Sequence, residues 1–246
     1  SYGAQWLWAY DDAATEDNFV AIPDFGGGLS DMVVNDVSAD DISTGSYILV
    51  GTGNTITGML AFRADTAVVD DDLLPIAVQL TITDTFYTEQ TLQTSSAQAV
   101  SADGLIIAGY GGTKRGNKAF VTDTTLTNWA DDEPILESYV LPAIDGGQWS
   151  EAYAMTVTDG GVIYIAGRSD SPKGPQACIW FYDDTAAAWV VKGLGGLSKK
   201  KYDSVATGIV QRLGAADGDA WAGVKSNPVW FDASQRQRAC RTSVRS

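Results

Sequence analysis

Leu105-Ile106-Ile107-Ala108-Gly109 is an apolar run closed by a glycine, and the chain repeats it. Tyr47-Ile48-Leu49-Val50-Gly51 and Val162-Ile163-Tyr164-Ile165-Ala166-Gly167 end on glycines 58 residues to either side (109 − 51; 167 − 109). Ala220-Trp221-Ala222-Gly223 is a looser fourth copy, 56 residues further on (223 − 167). A fixed period of this size marks a repeat architecture. A second landmark keeps the same phase, and a third precedes each glycine at a less regular distance. Ala61-Phe62, Ala119-Phe120 and Ala177-Cys178 each begin ten residues after their glycine (61 − 51; 119 − 109; 177 − 167). Upstream lie Asn35-Asp36-Val37-Ser38-Ala39-Asp40, Ala99-Val100-Ser101-Ala102-Asp103-Gly104 and Met155-Thr156-Val157-Thr158-Asp159-Gly160.

Each period reads as four short β patterns. In the copy around Gly109, strand A is expected over 97–102 and strand B over 105–109, joined at Asp103-Gly104. A glycine-rich loop over 110–118 leads to strand C over 119–123, and an acidic loop to strand D over 138–144. Asp-Gly between apolar runs is a strong hairpin signal. Helical periodicity is weak, and Gly, Thr, Ser and Asp punctuate the chain about every 8–12 residues, as in all-β folds. The expected fold is therefore all-β, a β-propeller of four-stranded antiparallel blades.

The segments Val100-Ser101-Ala102-Asp103-Gly104, Ile107-Ala108-Gly109-Tyr110 and Gly116-Asn117-Lys118-Ala119-Phe120 resemble the HAF repeat of bacterial extracellular and autotransporter proteins. That resemblance implies a propeller-like repeat in a secreted or cell-surface setting. The name-giving histidine is replaced by Leu60, Lys118 and Gln176, so no catalytic residue carries over.

The opening Ala4-Gln5-Trp6-Leu7-Trp8-Ala9-Tyr10 matches the strand C pattern at 177–182. Strand C thus starts near 4, 61, 119, 177 and 228. Residues 1–232 are expected to form a single propeller of about four blades. The N-terminal C–D hairpin would close the ring against a C-terminal A–B hairpin, leaving fewer exposed edges. Pro228-Val229-Trp230-Phe231-Asp232 competes for the same place and would make a fifth, partial blade. Residues 233–246 carry Arg236, Arg238, Arg241 and Arg245 without an acid and read as a basic flexible tail. Ser1 rather than Met at the start is expected of a processed or trimmed chain.

Composition narrows the function. A net charge of −15 disfavours nucleic acid as a partner, because binding to phosphates needs clustered Lys and Arg. No apolar run is long enough for a membrane span. The chain has no histidine, which removes Ser-His-Asp and Cys-His catalysis and His-ligated zinc. Of two cysteines, Cys178 sits in an apolar strand pattern and reads as a buried small hydrophobe, while Cys240 lies in the tail. No cofactor is expected. The runs Asp70-Asp71-Asp72 and Asp131-Asp132 offer hard oxygens that would suit Ca²⁺, but no D-x-D-x-D-G loop with its closing Glu frames them.

In a meander blade the B–C and D–A loops share one face, and the A–B and C–D loops share the other. Lys114, Arg115, Lys118, Arg168, Lys173, Lys225 and Lys199-Lys200-Lys201 sort to the first face. Asp11-Asp12, Asp70-Asp71-Asp72, Asp131-Asp132-Glu133 and Asp183-Asp184 sort to the second. The basic face is the expected site for a glycan or protein partner, with Lys114, Arg115, Asn117, Trp149, Arg168 and Lys173 as ligand-binding candidates. Ordinary solvated loop charge is the plain alternative. Two other function classes stand beside non-catalytic binding: a polysaccharide hydrolase or lyase using channel carboxylates, and a structural surface or particle subunit.

Overall fold

The computed structural model describes residues 6–9, 18–21, 32–38, 47–55, 58–69, 75–80, 82–84, 90–91, 94–123, 137–195, 203–211 and 220–224. These residues are all β and irregular, without a helix, so none of them belongs to a helix able to cross a membrane. The chain divides into two compact units, Ser1–Ile107 with Thr122–Ser138, and Ala108–Val121 with Tyr139–Ser246.

In chain order the strands are β1 (Trp6–Ala9), β2 (Asn18–Ala21), β3 (Met32–Val37), β4 (Ile48–Thr55), β5 (Gly58–Val69) and β6 (Pro75–Gln79). There follow β7 (Thr83–Asp84), β8 (Gln90–Thr91), β9 (Thr94–Val100), β10 (Ile106–Thr113), β11 (Gly116–Asp123) and β12 (Glu137–Val140). The last six are β13 (Ser150–Val157), β14 (Ile163–Ser169), β15 (Gln176–Asp183), β16 (Ala188–Gly195), β17 (Ala206–Gln211) and β18 (Ala220–Val224). Three four-stranded sheets each follow chain order: β3 to β6, β9 to β12 and β13 to β16. Each corresponds to one sequence period.

The hairpin β1–β2 and the hairpin β17–β18 are each a two-stranded sheet of its own. They are the C–D and A–B pairs that the sequence leads one to expect. The strand exchange expected to join them into a closed ring is not present among the described residues. The expected fifth strand C at 228–232, the tail and Cys240 lie outside the described residues, as do Asp70, Asp71, Asp72, Asp131 and Asp132.

The period glycines do not end strand B, contrary to the sequence-based expectation. Gly51, Gly109 and Gly167 sit inside β4, β10 and β14, which run on to Thr55, Thr113 and Ser169. At Gly51 and Gly167 the neighbouring strand carries a β-bulge. The β3–β4 register slips between Val34 and Asp36, beside Gly51, and the β13–β14 register slips between Ala152 and Ala154, beside Gly167. A Cβ on Gly51 would lie 1.9 Å from the Val33 carbonyl oxygen, and one on Gly167 would lie 2.0 Å from that of Glu151. On the other side Phe62 and Trp180 press on the same glycines. An interior strand glycine here marks close approach of another backbone.

Three further devices recur. At the A–B turn, Ser38, Ser101 and Thr158 each accept a hydrogen bond through the side-chain oxygen from the first residues of strand B, namely the amides of Ile48, Ile106 and Val162 (2.9, 2.9 and 3.0 Å). This explains the Ser or Thr of the upstream landmark. At the B–C turn, Thr55, Thr113 and Ser171 each donate a side-chain hydroxyl to the carbonyl of the glycine three residues on, Gly58, Gly116 and Gly174 (2.8, 2.7 and 2.7 Å). All three glycines have positive φ (138°, 106° and 102°), which a side chain would strain. The loop expected over 110–118 is therefore mostly strand, with a tight turn at Lys114-Arg115. Third, the buried amides of Ala61, Ala119 and Ala177 donate to the hydroxyls of Ser95, Ser150 and Ser204 (2.9, 3.1 and 2.9 Å). Each serine lies beside or at the start of the next period's first strand, so these bonds staple one sheet to the following one.

Side chains from strands B and C fill the core. Leu49, Phe62 and Ala64 pack with Met32, and Tyr164, Ala166, Ala177 and Ile179 pack with Leu194, Ala206 and Ile209. Trp180 is fully buried and satisfies its indole N–H on the Pro142 carbonyl (2.7 Å). Burying such a ring contributes about 1.5–3 kcal/mol. Cys178 is a buried free thiol whose pKa burial pushes up, in line with its reading as a small hydrophobe.

Candidate functional site

Residue positions in the second unit gather most of the candidates on one edge of its strands. The tight turns at 114–115 and 170–175 and the connection 141–149 all lie at this edge. Lys114, Arg115 and Lys173 are exposed at the turn tips. The connection is tied down locally. Ile144 N–H donates to the Ser169 hydroxyl (2.9 Å), Gly147 N–H to the Ile144 carbonyl (2.7 Å) and Asp170 N–H to the Trp149 carbonyl (2.9 Å). A Cβ on Gly147 would lie 2.2 Å from the Asp170 carbonyl oxygen, so the backbone closes tightly there. Trp149 also packs its Cβ against Gly116, where an added Cβ would sit 3.1 Å away. Its position is thus fixed from two turns.

Glu151 is the hub of the site. It follows the staple serine Ser150 on β13 and pairs in register with Arg168 on β14. Its side chain is 10% exposed and collects three donors. Asn117 Nδ2 reaches Oε1 at 2.6 Å, Arg168 Nε reaches Oε2 at 2.7 Å, and the Tyr153 hydroxyl donates to the same Oε2. The Arg168 guanidinium lies 5.1 Å above the Trp149 ring centroid, a cation–π distance. Tyr153 is the extra residue of the β13 bulge and meets Tyr110 edge to face with centroids 5.9 Å apart. Beside them, Lys118 Nζ donates to the Gln148 carbonyl.

The electrostatics follow from that arrangement. Burial alone would raise the Glu151 pKa, but the hydrogen bonds from Tyr153, Arg168 and Asn117, with the Arg168 charge, outweigh it and hold the carboxyl below its ordinary value. Burial and the bond to Glu151 push the Tyr153 phenol up. Burial opposes the charge on Arg168, yet pairing with Glu151 raises its pKa. A carboxylate held ionised by three donors serves to position groups rather than to donate a proton. What the cluster presents outward is a fixed guanidinium, 38% exposed along its side chain, framed by Trp149.

Asn117, Trp149 and Arg168 are brought together, whereas Lys114, Arg115 and Lys173 flank them on the turn tips. The edge is less uniformly basic than the charge sorting suggests, because Asp145, Asp170 and Glu151 share it with the cations. Asp170 also accepts from the Gln148 amide (3.3 Å). At the opposite edge of the same unit, the turns at 159–161 and 184–187 carry Asp159 and Asp184 and no cation. Glu151, Tyr153 and Tyr110 were missed in the sequence. One signal pointed to them: the position after the period glycine reads Thr52, Tyr110 and Arg168, and the position after the staple serine reads Ser96, Glu151 and Val205. Constant frame beside variable neighbours is where repeat proteins place function. Among the described residues, no group of three or more acidic, His or Cys side chains could hold a metal ion.

No protein-family model matches the chain, and no curated protein matches it. Among solved structures it is similar to TolB from Acinetobacter baumannii, at 12% identity and a TM-score of 0.40 over 95% of this chain and 50% of that one. The chain therefore spans about half the length of that protein.

Proposed function

We propose that the chain is a propeller-type repeat protein of the secreted or cell-surface kind, and that it binds a glycan or protein partner without chemistry. Each 58-residue period supplies one blade, and the ligand meets the edge built by the B–C turns and the D–A connection. The observation that carries this reading is the Arg168 guanidinium, held between Glu151 and Trp149 and flanked by exposed Lys114, Arg115 and Lys173. Strands hold Asn117, Glu151 and Arg168, while the cations sit on turn tips, where sequence varies most readily. The resemblance of the repeat to HAF sequences supports the extracellular setting. Glycoside hydrolysis would ask for an acid of raised pKa beside a second carboxylate; Glu151 is shifted the other way.

The test is a glycan-array and pull-down comparison of the native protein with a Lys114→Ala/Arg115→Ala/Lys173→Ala variant. These three side chains are exposed, so thermal melting should be unchanged. Binding is expected to fall about tenfold or more, as loss of charge-assisted contacts implies. A variant that keeps full binding contradicts the assignment of this edge.

A further inference from the structure

We propose that Arg168 is a carboxylate receptor, and that the ligand of this edge is a saccharide bearing an isolated uronate residue. The inference rests on the binding role proposed above for the edge. Arg168 has its Nε committed to Glu151 (2.7 Å) and its plane over Trp149 (5.1 Å). Those contacts, with the Tyr153 hydroxyl beside the same guanidinium, fix the side chain and remove most of the rotamer entropy a ligand would otherwise have to overcome. The terminal amino groups of a guanidinium so oriented match the two oxygens of a carboxylate. Glu151 occupies the Nε side of the fork, and its second carboxylate oxygen is taken by Asn117.

The rest of the ligand is read from what surrounds the cation. Tyr110, Tyr153 and Trp149 are half-buried and offer ring surface with polar edges, the usual mixture for a polyhydroxylated ligand with apolar C–H faces. A densely charged polymer fits poorly, since a protein of net charge −15 repels it at long range. A single carboxylate among neutral sugars meets the local cation without that penalty. Lys114, Arg115 and Lys173 add steering at the rim, where charge affects encounter more than affinity.

The experiment is calorimetric titration with an aldouronic tetrasaccharide, one glucuronate on three neutral xyloses, and with its carboxyl-reduced counterpart. Both are titrated into the native protein, into Arg168→Lys, Arg168→Gln and the triple turn-tip variant. Melting curves run alongside, and Arg168→Lys keeps a cation beside Glu151 so that the fold is retained. The acid form is expected to bind, the reduced form to bind about tenfold or more weakly, and Arg168→Gln to lose the same factor, as expected for removing one charge-assisted pair, with Arg168→Lys in between because lysine keeps the charge and loses the fork. Equal binding of acid and reduced forms, lost in the turn-tip variant, overturns the carboxylate inference and leaves the binding edge standing. No binding of either form, with capture of an acidic peptide instead, overturns the saccharide. Saccharide binding that survives every one of these variants overturns both the inference and the edge it rests on.

Discussion

At the scale of single residues, the period glycines and Glu151 do opposite jobs. Gly167 is required by backbone: an alanine there would drive its Cβ to 2.0 Å from the Glu151 carbonyl oxygen and 2.9 Å from Trp180. Gly167→Ala is expected to cost about 1–3 kcal/mol or more, the range for overpacking. Gly208, with open space around its Cβ position, should accept alanine within about 0.5 kcal/mol. Urea unfolding of the two variants measures the contrast, and equal costs would show that the bulge contact is not what selects glycine. The spacing of Gly51, Gly109 and Gly167 was plain in the sequence. Their position inside the strand was not, because at Gly51 and Gly167 it goes with a bulge in the partner strand. Glu151 sets the other residue-scale expectation. Its folded-state pKa lies below the ordinary Glu value of about 4.3, so its stabilising effect is present above that value and is lost as pH falls through the lower, folded-state one. Glu151→Gln should therefore be less stable than the native protein at pH 7, and the gap should narrow in acid below about pH 4. Thermal melts across that range read it directly; a gap independent of pH would rule out the ionised carboxylate as its source.

At the scale of elements, each four-stranded sheet is fastened to the next by a serine hydroxyl rather than by a ladder. Ala61, Ala119 and Ala177 are fully buried, and their amides have Ser95, Ser150 and Ser204 as partners. Removing one hydroxyl leaves a buried N–H without a partner, which costs about 1–3 kcal/mol. Ser150→Ala should lower the unfolding free energy by that amount and the urea midpoint with it, while Ser150→Thr should recover part of it by restoring the hydroxyl. A Ser150→Ala midpoint equal to native would mean the staple contributes nothing net. The strands themselves were legible from alternating apolar runs and Asp-Gly turns, but their ends were misplaced. Residues 110–113 look like loop because they are rich in glycine, yet β10 continues to Thr113 and turns over two residues. The turn is set by the Thr113 hydroxyl on the Gly116 carbonyl, and the Thr-x-x-Gly or Ser-x-x-Gly spacing at 55, 113 and 171 was the available sign of it.

At the scale of the molecule, the period accounts for the all-β architecture and its four-stranded sheets, which follow from sequence alone. The site was only half legible. Cations in turns are visible in the sequence, which is why Lys114, Arg115, Lys173 and Arg168 stand out there. Glu151 and Tyr153 depend on a strand register and a bulge that join residues from β11, β13 and β14, which no local pattern encodes. Only the departure of Glu151 and Arg168 from their repeat equivalents hinted at a specialised edge. Hydrogen–deuterium exchange with and without a glycan retained on the array is the most direct measurement of where the ligand sits. Protection is expected in 113–118, 148–153 and 168–174. Protection confined to the opposite edge, 158–162 and 184–187, would contradict the binding edge proposed for this protein.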